Sequence, residues 1–364
     1  MLVQAGREVR RTPPGCLGSA AGRIGRVLTH AAATVVVHAA LMVPFAIPHF
    51  PAERADRFYT VQILATPPEN RRAMLSVYES LRAKGHLVYH CPKRVGGRPF
   101  LRLRAGVFER IDEAQAYAEE LRKKEGFDGF AARAEVTVGR FKDRFRIVTT
   151  PSGIWHTSGV AVKRLLYAPA RDEIDLEHTV PQISPDGRAL VFYADNRIVR
   201  ISLDTGEVRV LRQSPSDTDG LLNSVVRWSP DGRYIAYLDA AEWELPTRLW
   251  IMRSDGSENR CLLADGTGRT KVKSFQWHPH ENRIYCVVGP THGTVSMGGS
   301  LDCLDLDGTC KTIVEANLNE GTEVLSEFRI VEGSLHYYLA HYETDGREPR
   351  YSLQERSLRD VDTR

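Results

Sequence analysis

Four polar side chains alternate with apolar ones along two predicted strands, and their types suit the binding of polar sugars. Thr60 and Gln62 lie on one strand, and Arg102 and Arg104 lie on the other. Because successive side chains of a strand point to opposite faces, all four are predicted to line one face of a sheet. Amide and guanidinium groups donate hydrogen bonds to acetamido and carboxylate substituents. The same alternation is also typical of a polar face that is only solvated.

The sequence lacks the motifs of common catalytic and metal sites. It has no G-x-S-x-G nucleophile elbow, no H-E-x-x-H zinc motif and no P-loop. His278 and His280 have the spacing of metal ligands but occupy a predicted turn, and the segment from Asp305 to Gly308 lacks the further acidic ligands of a calcium loop. We therefore predict no catalytic residues, no metal and no cofactor, although carboxylates from different repeats could still meet as a pair.

The alternating strands belong to a unit with two similar halves, between residues 58 and 138. Each half is predicted as a strand, a helix followed by glycine, and a second strand. The predicted strands are Phe58 to Ile63, Leu87 to Cys91, Phe100 to Ala105 and, approximately, Phe130 to Val138. Apolar residues recur at helical spacing in both intervening segments. This order predicts an α+β fold in which a four-stranded, mostly antiparallel sheet carries both helices on one face.

This unit resembles a SPOR domain from about Arg57 to Val138. The resemblance is carried by Y-T-V-Q in the first strand, by R-L-R-A-G-V-F from Arg102 to Phe108, and by the pair Glu113-Ala114 at the start of the second helix. It implies binding of peptidoglycan glycan strands that have lost their stem peptides, through the open face of the sheet.

The same resemblance implies which side chains contact the glycan. By position they are Thr60, Gln62, Arg102 and Arg104. The sequence departs from the family pattern at two places. Leu64-Ala65-Thr66 stands where the family often has Gly-Ser-Phe, and Val107 stands where it has proline.

The second half of the chain repeats a turn that leads into an apolar strand. The motif S-P-D-G-R begins at Ser184 and again at Ser229, and weaker copies follow at Trp277 to Cys286 and at Ile330 to Tyr338. In such a turn, proline presets φ, aspartate bonds back to the backbone and glycine adopts the left-handed conformation.

The repeat length indicates propeller blades. Gly187 and Gly232 of the first two copies are 45 residues apart, and a period of about 40 to 50 residues made only of strands is typical of blades that must stack. The motif resembles that of TolB-like propellers. We predict an all-β propeller of four to five blades over residues 180–364, with residues 139–179 as closing strands or an eroded first blade.

The sequence predicts a basic leader followed by an apolar segment within the first 47 residues. Residues 1–26 contain five arginines among Gly, Pro and Ser, and residues 27–47 carry no formal charge and are long enough to cross a bilayer. Basic residues before the segment and acidic ones after it predict a cytoplasmic N-terminus. The alternative is a cleaved signal peptide, although no small-x-small cleavage site follows Ile47.

An external location would permit disulfides. Cys303 and Cys310 flank a predicted hairpin turn and could face each other, while Cys261 and Cys286 lie on neighbouring repeats. Buried free thiols are the alternative, because spacing does not determine pairing.

Together these features predict a non-enzymatic envelope protein, periplasmic and anchored in the cytoplasmic membrane by residues 27–47. Its partners would be denuded glycan strands and an unidentified envelope protein at the propeller, and the SPOR resemblance implies a role in cell division. The alternative is a cell-wall polysaccharide hydrolase or lyase with its site in the propeller. RNA binding through the four-stranded sheet is opposed by the predicted export signal and by the lack of aromatic residues on the central strands' open face.

Overall fold

The computed structural model describes residues 57–142, 145–158, 162–169, 176, 179–213, 225–239, 247–263, 270–290, 298–317, 320–343 and 348–362. The predicted leader, residues 1–26, and the predicted membrane segment, residues 27–47, lie outside these ranges. Among the residues described, no helix is both long enough and apolar enough to cross a membrane.

The first unit is a four-stranded antiparallel sheet with two helices on one face, as predicted. We call it the N-terminal sheet. Its elements are β1 (Tyr59–Thr66), a 3-10 turn (Pro68–Asn70), α1 (Arg71–Ala83), β2 (Val88–Val95), β3 (Arg98–Phe108), α2 (Ile111–Glu125) and β4 (Phe130–Arg133). The strand order is β2-β3-β1-β4. Apolar side chains of both helices pack against Val61 and Leu103, which are fully buried. The helix α2 ends at Gly126, whose φ of 75° closes it in the left-handed conformation.

The strand predicted from Phe130 to Val138 is two strands in the structure. The last residue of β4, Arg133, is paired with Tyr59, the first residue of β1. Beyond this pair β1 offers no further strand partner, so the chain leaves the sheet. It enters a different sheet at Thr137.

The remaining strands form five sheets, which we number in chain order. Sheet 1 contains β5 (Thr137–Phe141), β6 (Phe145–Thr150), β7 (Gly153–Ser158) and β8 (Val162–Tyr167). Sheet 2 contains β9 (Gln182–Ile183), β10 (Ala189–Ala194), β11 (Arg197–Ser202) and β12 (Val208–Gln213). Sheet 3 contains β13 (Val226–Trp228), β14 (Tyr234–Asp239), β15 (Arg248–Arg253) and β16 (Arg260–Leu263).

Sheets 4 and 5 are joined by a short ladder between the third strand of sheet 4 and the first strand of sheet 5. Sheet 4 contains β17 (Thr270–Trp277), β18 (Arg283–Pro290), β19 (Gly298–Asp305) and β20 (Cys310–Val314). Sheet 5 contains β21 (Thr322–Val331), β22 (Ser334–His341) and β23 (Arg350–Ser357), followed by the helix α3 (Leu358–Asp362). The ladder pairs Gly298 and Gly299 of β19 with Leu325 and Val324 of β21.

Each sheet is an antiparallel meander in sequence order, and apolar cores lie between the faces of consecutive sheets. This is the stacked arrangement predicted for propeller blades. For residues 139–179 the sequence predicted either closing strands or an eroded first blade. In the structure these residues contribute most of sheet 1, which has a complete set of four strands. The five sheets fall within the predicted four to five blades.

The repeated turns have the hydrogen bonds that their sequence predicts. Ser184 Oγ accepts a bond of 2.9 Å from the backbone N–H of Ala189, and Gly187 has a φ of 74°. In the third copy His278 takes the place of serine, because its Nδ1 accepts bonds from the backbone N–H groups of His280 and Glu281 at 3.1 and 2.9 Å. The two histidines therefore belong to a turn.

Two tryptophans link the first strands of neighbouring sheets. Trp228 Nε1 donates to the carbonyl oxygen of Gln182 at 3.0 Å, and Trp277 Nε1 donates to that of Arg227 at 3.2 Å. Each tryptophan directly precedes a repeated turn, and each acceptor lies two residues before the turn of the preceding sheet. The same hydrogen bond therefore occurs at equivalent positions between sheets 2 and 3 and between sheets 3 and 4.

No disulfide joins any of the described cysteines. Cys303 is paired with Lys311, and Cys310 is paired with Leu304. Because the two cysteines are offset by one residue, their side chains point to opposite faces of the sheet. The predicted contact between them across the hairpin is therefore not made.

Candidate glycan-binding face

Strand register places four side chains in one row across the open face of the N-terminal sheet, which is the face away from α1 and α2. Gln62 lies opposite Arg104 of β3 and Phe130 of β4, and Arg104 lies opposite Tyr89 of β2. Directly opposed residues point to the same face. The row therefore runs Tyr89, Arg104, Gln62, Phe130, and Val61 and Leu103, the neighbours of Gln62 and Arg104, are buried on the helix side.

The open face is covered at its β2 side and exposed at its β4 edge. Tyr89 is 0% exposed, whereas Phe130 is 60% exposed. Leu87 and Tyr89 pack against Val148 and Trp155 of sheet 1, and burial raises the pKa of Tyr89 to about 12. The N-terminal sheet thus stacks on sheet 1 much as the later sheets stack on one another. Gln62 of β1 and Phe130 of β4 are the part of the row that remains accessible.

The two arginines of the face are held by contacts within the protein. Arg102 Nη2 donates to Glu135 Oε2 at 2.6 Å. Arg104 Nη1 donates to the carbonyl oxygen of Arg133 at 2.7 Å and lies 3.8 Å from the same oxygen of Glu135. Two guanidinium groups therefore share one carboxylate, which comes from the segment between β4 and β5.

The four predicted contact residues differ in accessibility. Thr60 is fully buried, and its Oγ1 donates to the carbonyl oxygen of Ala105 at 3.1 Å. Arg102 and Arg104 are buried, and both contact Glu135. Gln62 is half-buried, and it is the most accessible of the four.

Phe130 belongs to this face, although the sequence analysis did not single it out. It is the first residue of β4 and its neighbour Ala131 packs into the helix-facing core. Once β4 was known to pair with β1, alternation along the strand would have placed Phe130 on the open face, because its neighbour Ala131 faces the helices. An exposed aromatic ring beside an amide offers both apolar surface and hydrogen-bonding groups.

The buried carboxylates of sheets 4 and 5 take part in interior contacts. Glu323 is 0% exposed and accepts a bond of 2.7 Å from the hydroxyl of Tyr342. Burial, and then this hydrogen bond, raises the pKa of Tyr342. Asp302 is 8% exposed, and burial raises its pKa as well. In the part of the chain that the structure describes, no group of three or more His, Cys, Asp and Glu side chains could hold a metal ion.

Several solved structures resemble this chain at low sequence identity. A protein assigned as TolB from Agrobacterium tumefaciens is 13% identical, with a TM-score of 0.36, and the match covers 71% of this chain and 90% of the other. The β-propeller domain of the trilobed protease from Pyrococcus furiosus is 13% identical, with a TM-score of 0.35, over 61% of this chain and 95% of the other. Dipeptidyl peptidase 4 from Porphyromonas gingivalis is 12% identical, with a TM-score of 0.40, over 59% of this chain and 37% of the other.

No curated protein sequence is significantly similar to this chain. Residues 55–133 match the SPOR domain family, which confirms the resemblance drawn from the sequence. The chain therefore combines a region that matches the SPOR family with a series of stacked antiparallel sheets of the propeller type.

Proposed function

We propose that this chain is a non-enzymatic protein of the cell envelope that binds peptidoglycan glycan strands. The match of residues 55–133 to the SPOR family supports this proposal. The observation that carries it is the accessible end of the row on the open face, where the amide of Gln62 stands opposite the exposed ring of Phe130. An amide can bond an acetamido group, and an aromatic ring can cover the apolar face of a sugar.

The propeller would present a surface to an envelope protein. This part of the proposal is supported by β12, one of the two edge strands of sheet 2, on which Val208 and Val210 are each 47% exposed. Edge strands have backbone groups that a partner can pair with. Residues 27–47 would anchor the chain in the cytoplasmic membrane with the described residues in the periplasm, and a role at the division site would follow from the glycan that is bound.

Co-sedimentation of the purified full-length protein with peptidoglycan tests the proposal. The protein should sediment with amidase-stripped glycan more than with intact peptidoglycan. Gln62→Ala should weaken the binding by roughly two- to tenfold, because it removes about one hydrogen bond. Gln115→Ala is the matched control, since Gln115 is exposed on α2, on the opposite side of the N-terminal sheet.

Two results would contradict the proposal. Failure of the wild type and of every variant to bind either preparation would remove glycan binding altogether. Release of soluble sugar fragments during the incubation would show enzymatic activity, and the propeller would then have to be searched for the site.

A further inference from the structure

The contact between Glu135 and the arginines of the open face places a carboxylate inside the proposed glycan site. Glu135 Oε2 lies 2.6 Å from Arg102 Nη2 and 3.8 Å from Arg104 Nη1, and Glu135 Oε1 lies 4.0 Å from Lys93 Nζ. Three cationic side chains from two neighbouring strands thus surround one carboxylate. The local positive charge therefore favours an anion at this position.

The partners in this contact differ in their freedom to move. The side chains of Arg102 and Arg104 are 11% and 3% exposed, and Arg104 is also fixed by its bond to the Arg133 carbonyl oxygen. The side chain of Glu135 is 33% exposed, and it belongs to neither β4 nor β5. The carboxylate is therefore the partner that can leave, and the two guanidinium groups would stay in place.

The guanidinium groups also keep donors that Glu135 does not use. The Nε atoms of Arg102 and Arg104 are buried and have no hydrogen-bond partner among the described residues. Buried donors without acceptors are costly. Glu135 also leaves room for a better acceptor at the outer atoms, because its Oε2 bonds Arg102 Nη2 at 2.6 Å but lies 3.8 Å from Arg104 Nη1, beyond hydrogen-bond distance.

We propose that Glu135 is a built-in competitor, whose carboxylate occupies the guanidinium pair of Arg102 and Arg104 until a carboxylate of the glycan replaces it. This inference rests on the proposed glycan binding. Removal of a stem peptide from peptidoglycan leaves a free carboxylate on the lactyl group of the sugar, where intact peptidoglycan has an amide. Exchange with Glu135 thus favours stripped glycan, since only that form carries the group that replaces it.

The test uses full-length protein carrying Glu135→Gln, which removes the charge and nearly preserves the shape. Binding is measured by co-sedimentation at physiological ionic strength with two ligands: stripped glycan, and stripped glycan whose carboxylates have been converted to amides with a carbodiimide and ammonia. We expect the variant to bind stripped glycan about fivefold or more tighter than the wild type, because the competing charge has been removed. We expect no such gain on the amidated glycan.

The matched control is Glu109→Gln, because Glu109 also contacts two arginines, Arg140 and Arg146, at 2.7 and 2.9 Å. It changes the net charge by the same amount but does not touch the guanidinium pair, so its binding should equal that of the wild type. If thermal unfolding shows that Glu135→Gln is not folded, Glu135→Asp replaces it. The shorter side chain weakens the contact with Arg102 and should give a smaller gain.

The outcomes separate this inference from the proposed function. Wild-type binding that Glu135→Gln leaves unchanged or weakens would overturn the competitor role, while glycan binding itself would stand. An equal gain on amidated glycan, or an equal gain from Glu109→Gln, would overturn the exchange of carboxylates. Absence of binding by both the wild type and Glu135→Gln would overturn the proposed function and this inference together.

Discussion

Gln62 and Phe130 lie directly opposite each other on β1 and β4, so the amide and the ring are neighbours on the open face. The ring is at the edge of the N-terminal sheet and is 60% exposed. The rest of the row is covered progressively toward β2, where Tyr89 packs on sheet 1. This pair is therefore the part of the face that a bound sugar would meet first.

Phe130→Ala should weaken binding to stripped glycan by about fivefold, which corresponds to roughly 1 kcal/mol. Its free energy of unfolding should change little, because an exposed ring contributes little to a core. Co-sedimentation and thermal unfolding measure the two effects. Val95→Ala is the control, since Val95 is 59% exposed on β2 of the same sheet. Equal binding by both variants and the wild type would remove Phe130 from the site.

Trp277→Phe should destabilise the stack of sheets by roughly 1–2 kcal/mol, because it leaves the carbonyl oxygen of Arg227 without its indole donor. Urea unfolding followed by far-UV circular dichroism measures the loss. The control is Trp250→Phe, which shrinks the ring equally but removes an N–H group that has no acceptor among the described residues. A loss at Trp250 as large as that at Trp277 would mean that ring size, and not the hydrogen bond, determines the effect.

Gly298→Ala should destabilise the fold by roughly 3 kcal/mol or more. A Cβ atom at this position would lie 1.7 Å from the carbonyl oxygen of Val324, so the ladder that joins sheets 4 and 5 could not form. Gly139→Ala serves as the control, because a Cβ atom there meets nothing closer than 3.9 Å. Thermal unfolding of both variants tests the point, and a stable Gly298→Ala protein would show that sheets 4 and 5 do not need this close approach.

Asp231 should contribute to stability above its unfolded pKa and lose that contribution in acid. Burial alone would raise the pKa of this carboxyl group, but hydrogen bonds from Asn282, Ser229 and Arg233 outweigh it and hold the pKa below its usual value of 3.8. Since the folded pKa is the lower one, the stabilisation is complete at pH values above the unfolded pKa and disappears as the pH falls through the folded pKa. Thermal unfolding midpoints of the wild type should therefore fall between about pH 5 and about pH 2.

Asp231→Asn should lower the thermal unfolding midpoint at neutral pH. The midpoint of this variant should also depend less on pH than that of the wild type between about pH 5 and about pH 2. Asp204→Asn is the control, because Asp204 is 66% exposed and its contact with Arg188 is a long one of 3.8 Å. A pH dependence in Asp231→Asn as steep as that of the wild type would assign the acid sensitivity to other carboxylates.

Much of each domain follows from local sequence. The polar and apolar faces of β1 and β3 were predictable because side chains of a strand alternate, and Val61 and Leu103 are buried on the helix side as expected. The repeated turns were predictable because serine, aspartate and glycine meet their hydrogen-bond and φ requirements within a few residues. Even the imperfect copy at His278 forms a turn, since its imidazole accepts the same kind of backbone bond.

Contacts between distant segments were not predictable in this way. The strand predicted from Phe130 to Val138 is divided, because β4 can only be as long as the partner that β1 provides. Cys303 and Cys310 point to opposite faces because a one-residue offset in a ladder reverses a side chain, and spacing alone does not set that offset.

The sequence by itself determined the type of each sheet, its apolar face and the polar residues of the candidate site, because these depend on the period of the strand and on turn chemistry. Only the tertiary structure decided which of those polar residues a ligand could reach. Trp155 covers one side of the open face and Glu135 contacts its arginines, although both follow β4 in the chain. Such coverage depends on how separate sheets stack, and that stacking is set by the combined fit of their surfaces, which no local pattern records.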